Sequence, residues 1–310
     1  MWNFSFGIQE ELSVVREQML MEYWFVLAIV VTFFWGSAGI FAKISTPKIG
    51  VAGVALLIAS VETVMYSLAF LYWREDVSIS LQDGLLAAFS CLIGVTGYLC
   101  FFESIIEGQV AIAGTISAAY PALTVVGAIV VLSESLTSVQ AVGVLAIIGG
   151  VVLLSYEPNP GSKHAMNKRS LFFALMAFLL WGIWSLTSKV AIDRVGPGNI
   201  FGFYVLSSIT APVIYAWLRR VRPGGPRMSN PPNSAWALGA IGLVLNVSGT
   251  LVYSFSLDSG IASLVVPITS AYPLITIVLA VALLREKLSS LHLIAVGVVV
   301  AGLVMIGLTV

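Results

Sequence analysis

Long apolar runs dominate the chain, and short polar connections separate them. Ten runs have about the 20 residues that an α-helix needs to cross ~30 Å of hydrocarbon. They cover residues 23–44, 51–73, 84–104, 109–132, 138–156, 170–192, 199–218, 235–257, 261–284 and 289–309. Alternation of period two is missing from them, so the pattern favours helices over membrane strands. The predicted fold class is an all-α membrane protein with ten transmembrane helices.

Residues 1–22 precede the first run and have a different pattern. Apolar residues recur there at helical spacing from Ile8 to Met19, with glutamates between them. This pattern is typical of a helix that lies in the membrane interface. Met21 would serve equally well as a start, so an upstream extension is an open alternative.

Two motifs occur twice in the same order. Trp35-Gly36 followed by Lys43 returns 146 residues later as Trp181-Gly182 followed by Lys189. Tyr-Pro followed thirteen residues after the proline by a glutamate occurs at Tyr120, Pro121 and Glu134 and again, 152 residues later, at Tyr272, Pro273 and Glu286. Low-complexity apolar sequence does not readily produce such pairs, so we infer an internal repeat.

The repeat and the number of runs together predict the architecture. Each copy holds five runs, and because five is odd the second copy enters the membrane with the opposite orientation. We therefore predict two inverted five-helix repeats, at 23–156 and 170–310, joined by a linker at 157–169. Inverted repeats are typical of secondary transporters, which bind their substrate between the halves near mid-membrane.

Composition and charge narrow the class of protein. Hydrophobic residues make up 59% of the chain and charged residues 10%, whereas soluble domains are typically about 25% charged. The 15 acidic residues balance the 15 basic ones. These figures exclude a soluble globular enzyme, a disordered chain and a basic nucleic-acid binder. The expected partners are the lipid bilayer and a small-molecule substrate, in a multi-pass protein of the plasma (inner) membrane.

The sequence offers no basis for a cofactor or for catalysis. Cys91 and Cys100 share one apolar run, and two cysteines are too few for a zinc site or a disulfide framework. No phosphate-binding Gly-Lys-Ser/Thr loop and no Ser/His/Asp set is recognisable. We expect no metal, no cofactor and no enzymatic activity.

The repeated motifs resemble those of a known family. The Trp-Gly…Lys of runs one and six, and the Pro followed by Leu-x-Glu at the ends of runs four and nine, are similar to the EamA-type transporters of the drug/metabolite transporter superfamily. The resemblance covers about 23–309. It implies a carrier for amino acids, drugs, sugars, nucleotide derivatives or other metabolites, often directed outward and coupled to protons or exchange.

Orientation stays open at this point. Comparable carriers usually have both termini in the cytoplasm. With the N-terminus inside, however, four basic residues would lie inside and eleven outside, which is against the positive-inside rule. Charge therefore favours an outside N-terminus and the resemblance an inside one.

Glu62 is the sharpest functional candidate. It lies at the centre of run two, where members of the family often carry a basic residue. An ionised side chain there costs at least ~2.5 kcal/mol, so it should face the protein interior or a water-filled cavity. Glu62 could carry a proton or contact a cation. The alternative is a structural, protonated carboxyl. Its approximate counterpart in the second half is Ser208.

Aromatic and amide side chains complete the predicted substrate cavity. The predicted wall consists of Trp35, Trp181, Trp184, Tyr98, Tyr120, Asn246, Tyr253 and Tyr272. Aromatic walls suit aromatic, apolar or cationic ligands. The alternative is helix packing without ligand contact.

Two prolines and two lysines suggest moving parts. Pro121 and Pro273 interrupt the helical hydrogen bonds of runs four and nine, which predicts hinges. Lys43 and Lys189 lie near run ends, where they could form a gate or simply snorkel to the headgroups. Glu134 and Glu286 more plausibly cap or pin loops than bind substrate.

The function predicted from the sequence is a secondary active exporter or exchanger of a small organic metabolite or drug. Proton coupling and alternating access are part of this prediction. A passive channel or facilitator and a lipid-type flippase are the alternatives with the same architecture. Small residues such as Gly150 could pack within or between chains, so monomer and homodimer both remain open.

Overall fold

The computed structural model describes residues 3–107, 115–156, 168–221, 231–285 and 288–310. Residues 157–167 of the predicted linker and Glu286 lie outside these ranges. Every regular element in the described part of the chain is a helix.

Eleven described α-helices and one π-helical turn make up the fold. The helices are α1 Asn3–Leu57, α2 Thr63–Trp73, α3 Leu81–Glu107, α4 Tyr120–Val131, α5 Ser138–Leu154, α6 Lys168–Val195, α7 Ile200–Val221, α8 Asn233–Ser259, α9 Ala262–Ser270, α10 Tyr272–Leu284 and α11 Ser290–Gly307. The π-helical turn Ile58–Glu62 joins α1 to α2.

The all-helical membrane architecture is confirmed, but the count of ten crossings is not. Seven described helical stretches are long and apolar enough to span a membrane, and Thr115–Val131 and Ser138–Leu154 are shorter apolar helices. One of the seven, Tyr23–Trp73, has 51 residues. This is more than twice the length that a single crossing needs. Ten crossings in two inverted repeats therefore remain a prediction.

A backbone break divides that long stretch. Gly50 has φ 69° and ψ 169° inside α1, a conformation that is essentially restricted to glycine. It separates the helical segments 3–49 and 51–57, between the first two apolar runs. At the other end, α1 begins at Asn3 and continues without interruption through residue 22. The interfacial N-terminal segment was predicted as a separate unit, and here its backbone is part of α1.

The two halves interlock through contacts that occur twice. In the repeat α1 corresponds to α6 and α3 to α8, and the most extensive helix pairs are α1 with α8 and α3 with α6. Glycines allow both of these helix pairs to pack closely. A Cβ on Gly249 would lie 2.5 Å from Trp35 Cδ1, and a Cβ on Gly97 would lie 2.9 Å from Trp181 Cδ1.

The same correspondence holds around the proline-containing helices. The hydroxyl of Thr276 in α10 donates to the Gly36 carbonyl at 2.8 Å. The hydroxyl of Thr124 in α4 donates to the Gly182 carbonyl at 3.2 Å. Both pairs are related by the sequence repeat. The two halves therefore pack around a central space with approximate twofold symmetry.

Candidate substrate cavity

A cavity of about 610 Å³ lies between the two halves. Its volume is in the range of pockets that hold drug-sized ligands, ~300–1,000 Å³. Helices of both halves form the wall, and aromatic and small apolar side chains predominate in it. We call this space the central cavity.

Most of the predicted site residues line the central cavity. The wall includes Trp35, Lys43, Glu62, Tyr98, Tyr120, Trp181, Trp184, Asn246, Tyr272 and Pro273. Three other candidates are not among its lining residues: Tyr253, Pro121 and Lys189. Tyr253 lies behind the wall, against Trp35 and Trp184. Pro121 is buried in α4, and Lys189 lies outside the cavity, at the Leu257 carbonyl.

Glu62 contributes a carboxylate to the wall. It is the last residue of the π-helical turn between α1 and α2, and only 7% of it is exposed. Turns of this type are rare in proteins, and those that occur are often found at functional sites. The Ser208 hydroxyl of α7 donates to Glu62 Oε2 at 3.3 Å. Within the described ranges no ion pair involves Glu62, so no basic side chain there occupies its carboxyl group.

Three aromatic rings pack together on one side of the cavity. The Tyr253 ring lies 5.1 Å from Trp35 and 5.4 Å from Trp184, centroid to centroid. Trp35 also meets Tyr272 edge-to-face at 6.4 Å. Its indole Nε1 donates to the Asn246 carbonyl at 3.2 Å. Tyr253 therefore supports the two tryptophans from behind, and they present their rings to the cavity.

A second aromatic pair was not predicted from the sequence. The rings of Tyr66 and Tyr204 stack at 4.9 Å, and both residues line the cavity. Tyr66 follows Glu62 by one helical turn, so it shares a face with the carboxylate. That spacing was a signal in the sequence that could have revealed it.

The helix axis breaks next to both Tyr-Pro pairs. Ala119 and Ala271 precede them, and each is followed by a new helix, α4 and α10. Of the two prolines, only Pro273 reaches the cavity wall. The hydroxyl of Thr32 donates to the Ile268 carbonyl at 3.0 Å, close to the second break. This hydroxyl satisfies a carbonyl beside the second break, which makes that break compatible with a membrane interior.

The two ends of the cavity differ. At one end, the wide end, the wall continues to helix ends at Lys43, Pro47, Ser155 and His292. At the other, the closed end, buried side chains fill the space between the halves, including Phe201, Leu257 and Val265, each 0% exposed.

The two lysines of the repeated motif lie towards opposite ends. Lys43 lines the cavity on the wide side. Lys189 lies at the closed end, where its Nζ donates to Asp193 and to the Leu257 carbonyl, both at 2.8 Å. This placement is compatible with the predicted gate pair, which stays a prediction.

Metal ligands do not cluster in the described residues. No group of three or more His, Cys, Asp or Glu side chains there could hold a metal ion. Cys91 lies on the cavity wall, and Cys100 is buried elsewhere.

Comparison with known proteins gives a family and a fold. The model of the EamA-like transporter family matches the chain twice, at residues 22–156 and 168–308. The two matches fall on the two predicted repeats. A crystal structure of another protein aligns with a TM-score of 0.72 and 18% sequence identity. The alignment covers 93% of this chain and 99% of that one. At this identity the likeness shows the fold alone.

Two curated proteins are similar to parts of the chain. Uncharacterized protein MJ1333.1 of Methanocaldococcus jannaschii is 30% identical over 131 residues, which are 42% of this chain and 94% of that protein. A stretch shorter than half of the present chain therefore resembles nearly the whole of a protein about 140 residues long. The uncharacterized transporter YojE of Bacillus subtilis is 24% identical over 151 residues, 46% of this chain and 48% of that protein.

Proposed function

The chain belongs to the EamA-like transporter family, and on this premise we propose that it is a secondary active transporter of a small organic solute. As a multi-pass membrane protein it works between two aqueous compartments. In our proposal the solute binds in the central cavity, and the halves rearrange to expose the cavity at alternate ends. The protein catalyses no chemical reaction, and we place it in the plasma (inner) membrane.

The observation that carries the proposal is a single carboxylate in an aromatic cavity. Glu62 places a carboxyl group in the cavity wall, and the rings of Trp35, Trp181 and Trp184 line the same space. Aromatic faces attract cations, and the attraction grows when water is excluded. We therefore propose a solute with a positively charged group and an apolar or aromatic body.

The same carboxylate provides a route to proton coupling. Glu62 has one hydroxyl partner and no ion-pair partner among the described residues. A proton and a cationic solute would compete for it, and each would leave when the other binds. Such competition makes the transporter an exchanger, in which protons entering the cell drive the solute out.

Charge at the helix ends supports the outward direction. Among the residues whose side chains the structure describes, the basic ones at the wide end are Lys43, Lys48, Lys168, Arg169, Arg219 and Arg285, and those at the closed end are Arg74, Lys189 and Arg194. The positive-inside rule assigns the more basic end to the cytoplasm. In that orientation the cavity loads from the cytoplasm, as an exporter requires. Lys48→Cys, in a chain with Cys91→Ala and Cys100→Ala, should then react with an impermeant thiol reagent only in inverted membrane vesicles.

Transport in proteoliposomes tests the proposal. The purified chain is reconstituted with an internal pH dye, and a panel of organic cations, neutral aromatics and zwitterionic amino acids is added outside. We expect saturable uptake of a cation, stimulated by the same cation inside, with proton movement in the opposite direction. Glu62→Gln should abolish the proton movement. Glu103→Gln is the matched control, because Glu103 is equally buried, at 4% exposed, but is not a lining residue.

Each alternative predicts a different outcome of this experiment. Flux that does not saturate and shows no stimulation by internal solute would favour a channel or facilitator. Movement of labelled phospholipid between leaflets would favour a flippase. Gradient-driven transport with normal pH dependence in Glu62→Gln would remove the coupling role from this residue. Analysis of the reconstituted particles by mass would decide between monomer and dimer.

A further inference from the structure

At the closed end of the central cavity, a carboxylate of the first half contacts the start of a helix in the second half. Glu134, in the connection after α4, accepts hydrogen bonds from the backbone N–H groups of Ala262 and Ser263 at 2.9 and 2.8 Å. These two residues are the first of α9, in the second half. One carboxylate of the first half thus binds the N-terminus of a helix in the second.

Charge and hydrogen bonding both favour this contact. The first N–H groups of a helix have no partner within the helix, and that end carries a partial positive charge. The N-cap residue of α9 is Ile261, whose side chain cannot accept these hydrogen bonds. Ala262 and Ser263 are fully buried, so water is a poor substitute. Glu134 is therefore the group that satisfies this helix end while the halves are together.

The connection around Glu134 is shaped for the contact. Ser133 has φ 58°, a left-handed conformation that is uncommon for residues other than glycine. The Glu134 backbone N–H donates to the Ala128 carbonyl at 3.2 Å. Neighbouring Leu132 and Leu136 pack against the main hydrophobic cluster. The carboxylate is thus held in place by its backbone and its neighbours.

The helix that Glu134 binds reaches the cavity wall at its other end. All nine residues of α9 are buried, and it ends at Ser270, next to the break at Ala271. Tyr272 and Pro273, directly after the break, line the cavity. A helix of nine residues is about 13 Å long. It therefore connects the Glu134 contact at the closed end with the hinge beside the solute.

We propose that Glu134 is the latch that keeps this end of the cavity closed, and that its release from α9 lets α9 turn about the break at Ala271. This inference rests on the alternating access proposed above. Binding of a solute against Tyr272 would act on the same break from the opposite side. The latch carboxylate itself contacts no solute, so it is a positioning residue.

The sequence repeat supplies a matched pair of reporters. Ala280 in α10 lines the wide end of the cavity, and its repeat equivalent, Ala128 in α4, is fully buried at the closed end. When the cavity changes sides, these two positions should exchange their accessibility. Cysteines are introduced at each in a chain with Cys91→Ala and Cys100→Ala, because the Cys91 thiol is itself on the cavity wall.

The experiment measures how fast each reporter reacts in lipid nanodiscs, where both ends are accessible to reagent. The probe is the trimethylammonium-ethyl methanethiosulfonate reagent, and no transported solute is needed. With Glu134 intact, the Ala280→Cys thiol should react and the Ala128→Cys thiol should be protected. Glu134→Gln should raise the Ala128→Cys rate about tenfold, equivalent to ~1.4 kcal/mol, and should lower the Ala280→Cys rate.

Two further variants keep the test decisive. Ala262→Pro removes one of the two N–H donors at a helix position where proline is well tolerated, and it should act in the same direction as Glu134→Gln. Asp83→Asn is the control at the same end, because Asp83 joins the halves through Arg194 at 3.1 Å without touching α9. It should leave both reporter rates unchanged.

The latch is refuted if the Ala128→Cys rate stays the same in both Glu134→Gln and Ala262→Pro, or rises equally in Asp83→Asn. It is also refuted if both reporters react faster together, since that indicates general loosening of the fold. A negative transport experiment combined with reporters that exchange accessibility would reject the proposed substrate chemistry and leave the latch standing. Transport of a cation combined with reporters that do not respond would support the proposed substrate chemistry and reject the latch.

Discussion

Gly36→Ala should disturb the wall of the central cavity through the backbone. A Cβ on Gly36 would lie 2.5 Å from the Tyr272 carbonyl oxygen and 2.5 Å from Ile275 Cβ. Ordinary contacts between carbon atoms are ~3.5–4.0 Å, so α1 and α10 must separate by about 1 Å or more. Overpacking of this kind costs ~1–3 kcal/mol. Because one of the two obstacles is backbone, a side-chain rotation cannot relieve the clash.

The expected result is a loss of both stability and solute affinity. We expect the midpoint of thermal unfolding in detergent to fall by a few degrees, on the order of ~2–4 °C per kcal/mol. Displacement of Tyr272, a wall residue, should also raise the solute concentration needed for half-maximal counterflow. Gly182→Ala should have a smaller effect, because the three atoms nearest to its Cβ all belong to the Leu123 side chain, the closest at 2.6 Å, and none of them is backbone.

Gly149→Ala is the matched control for these two substitutions. It also lies in an apolar helix, but a Cβ there has no neighbour within 4 Å. Alanine favours helix by ~1 kcal/mol over glycine, so this variant should be as stable as the unmodified chain or slightly more stable. Equal midpoints for Gly36→Ala and Gly149→Ala would refute the close packing of α1 on α10.

Three further predictions concern the cavity and its approach. Ser208→Ala removes the hydroxyl that donates to Glu62. The pH range in which solute binding releases a proton should therefore change, as measured with a pH dye in detergent. Gly50→Ala should destabilise the chain by ~1–3 kcal/mol in thermal unfolding, since φ 69° with ψ 169° strains any Cβ; unchanged stability would contradict the break in α1. Trp184→Phe reduces the stacking on Tyr253, a contact worth ~0.5–1.5 kcal/mol, and should weaken solute binding in counterflow more than it lowers stability.

Much of the architecture could be predicted from the sequence because lipid imposes simple rules. Long apolar runs must be helical in a membrane, and the duplicated motifs mark two equivalent halves. The family match at 22–156 and 168–308 confirms that the motifs identify this family of transporters. The break at Gly50 was harder to predict. The polar connection 45–50 suggested a loop, but helix continues to residue 49 and a single glycine makes the turn.

The cavity was predicted less completely than the fold. Helical periodicity shows which face of a helix a residue occupies, but not whether its side chain reaches the cavity. Asn246 and Tyr253 are seven residues apart and share a face of α8. Only Asn246 lines the cavity, since the rings of Trp35 and Trp184 lie against Tyr253. Depth along a helix depends on which side chains of other helices fill the space in front of it. A single sequence does not contain that information.

The latch residue shows a similar limit. The sequence indicated that Glu134 caps or pins a loop, from its position after an apolar run. Its actual target, the N-terminus of α9, lies 128 positions further along the chain. Pairing over that separation is decided by how the halves dock, which follows from the shapes of many side chains together.

The hydrogen bond between Ser208 and Glu62 has a geometric consequence. The two residues are 146 positions apart, and they are each other's equivalents in the repeat. Two equivalent positions can touch only where the pseudo-twofold axis passes between them. A carboxylate on that axis is displaced least when the halves exchange conformations, so it is at the same depth from either face of the membrane. With glutamate in both copies, two carboxyl groups would face each other at this point, and the serine leaves a single titratable group there. In the proposed exchange, this position could therefore carry no more than one proton at a time.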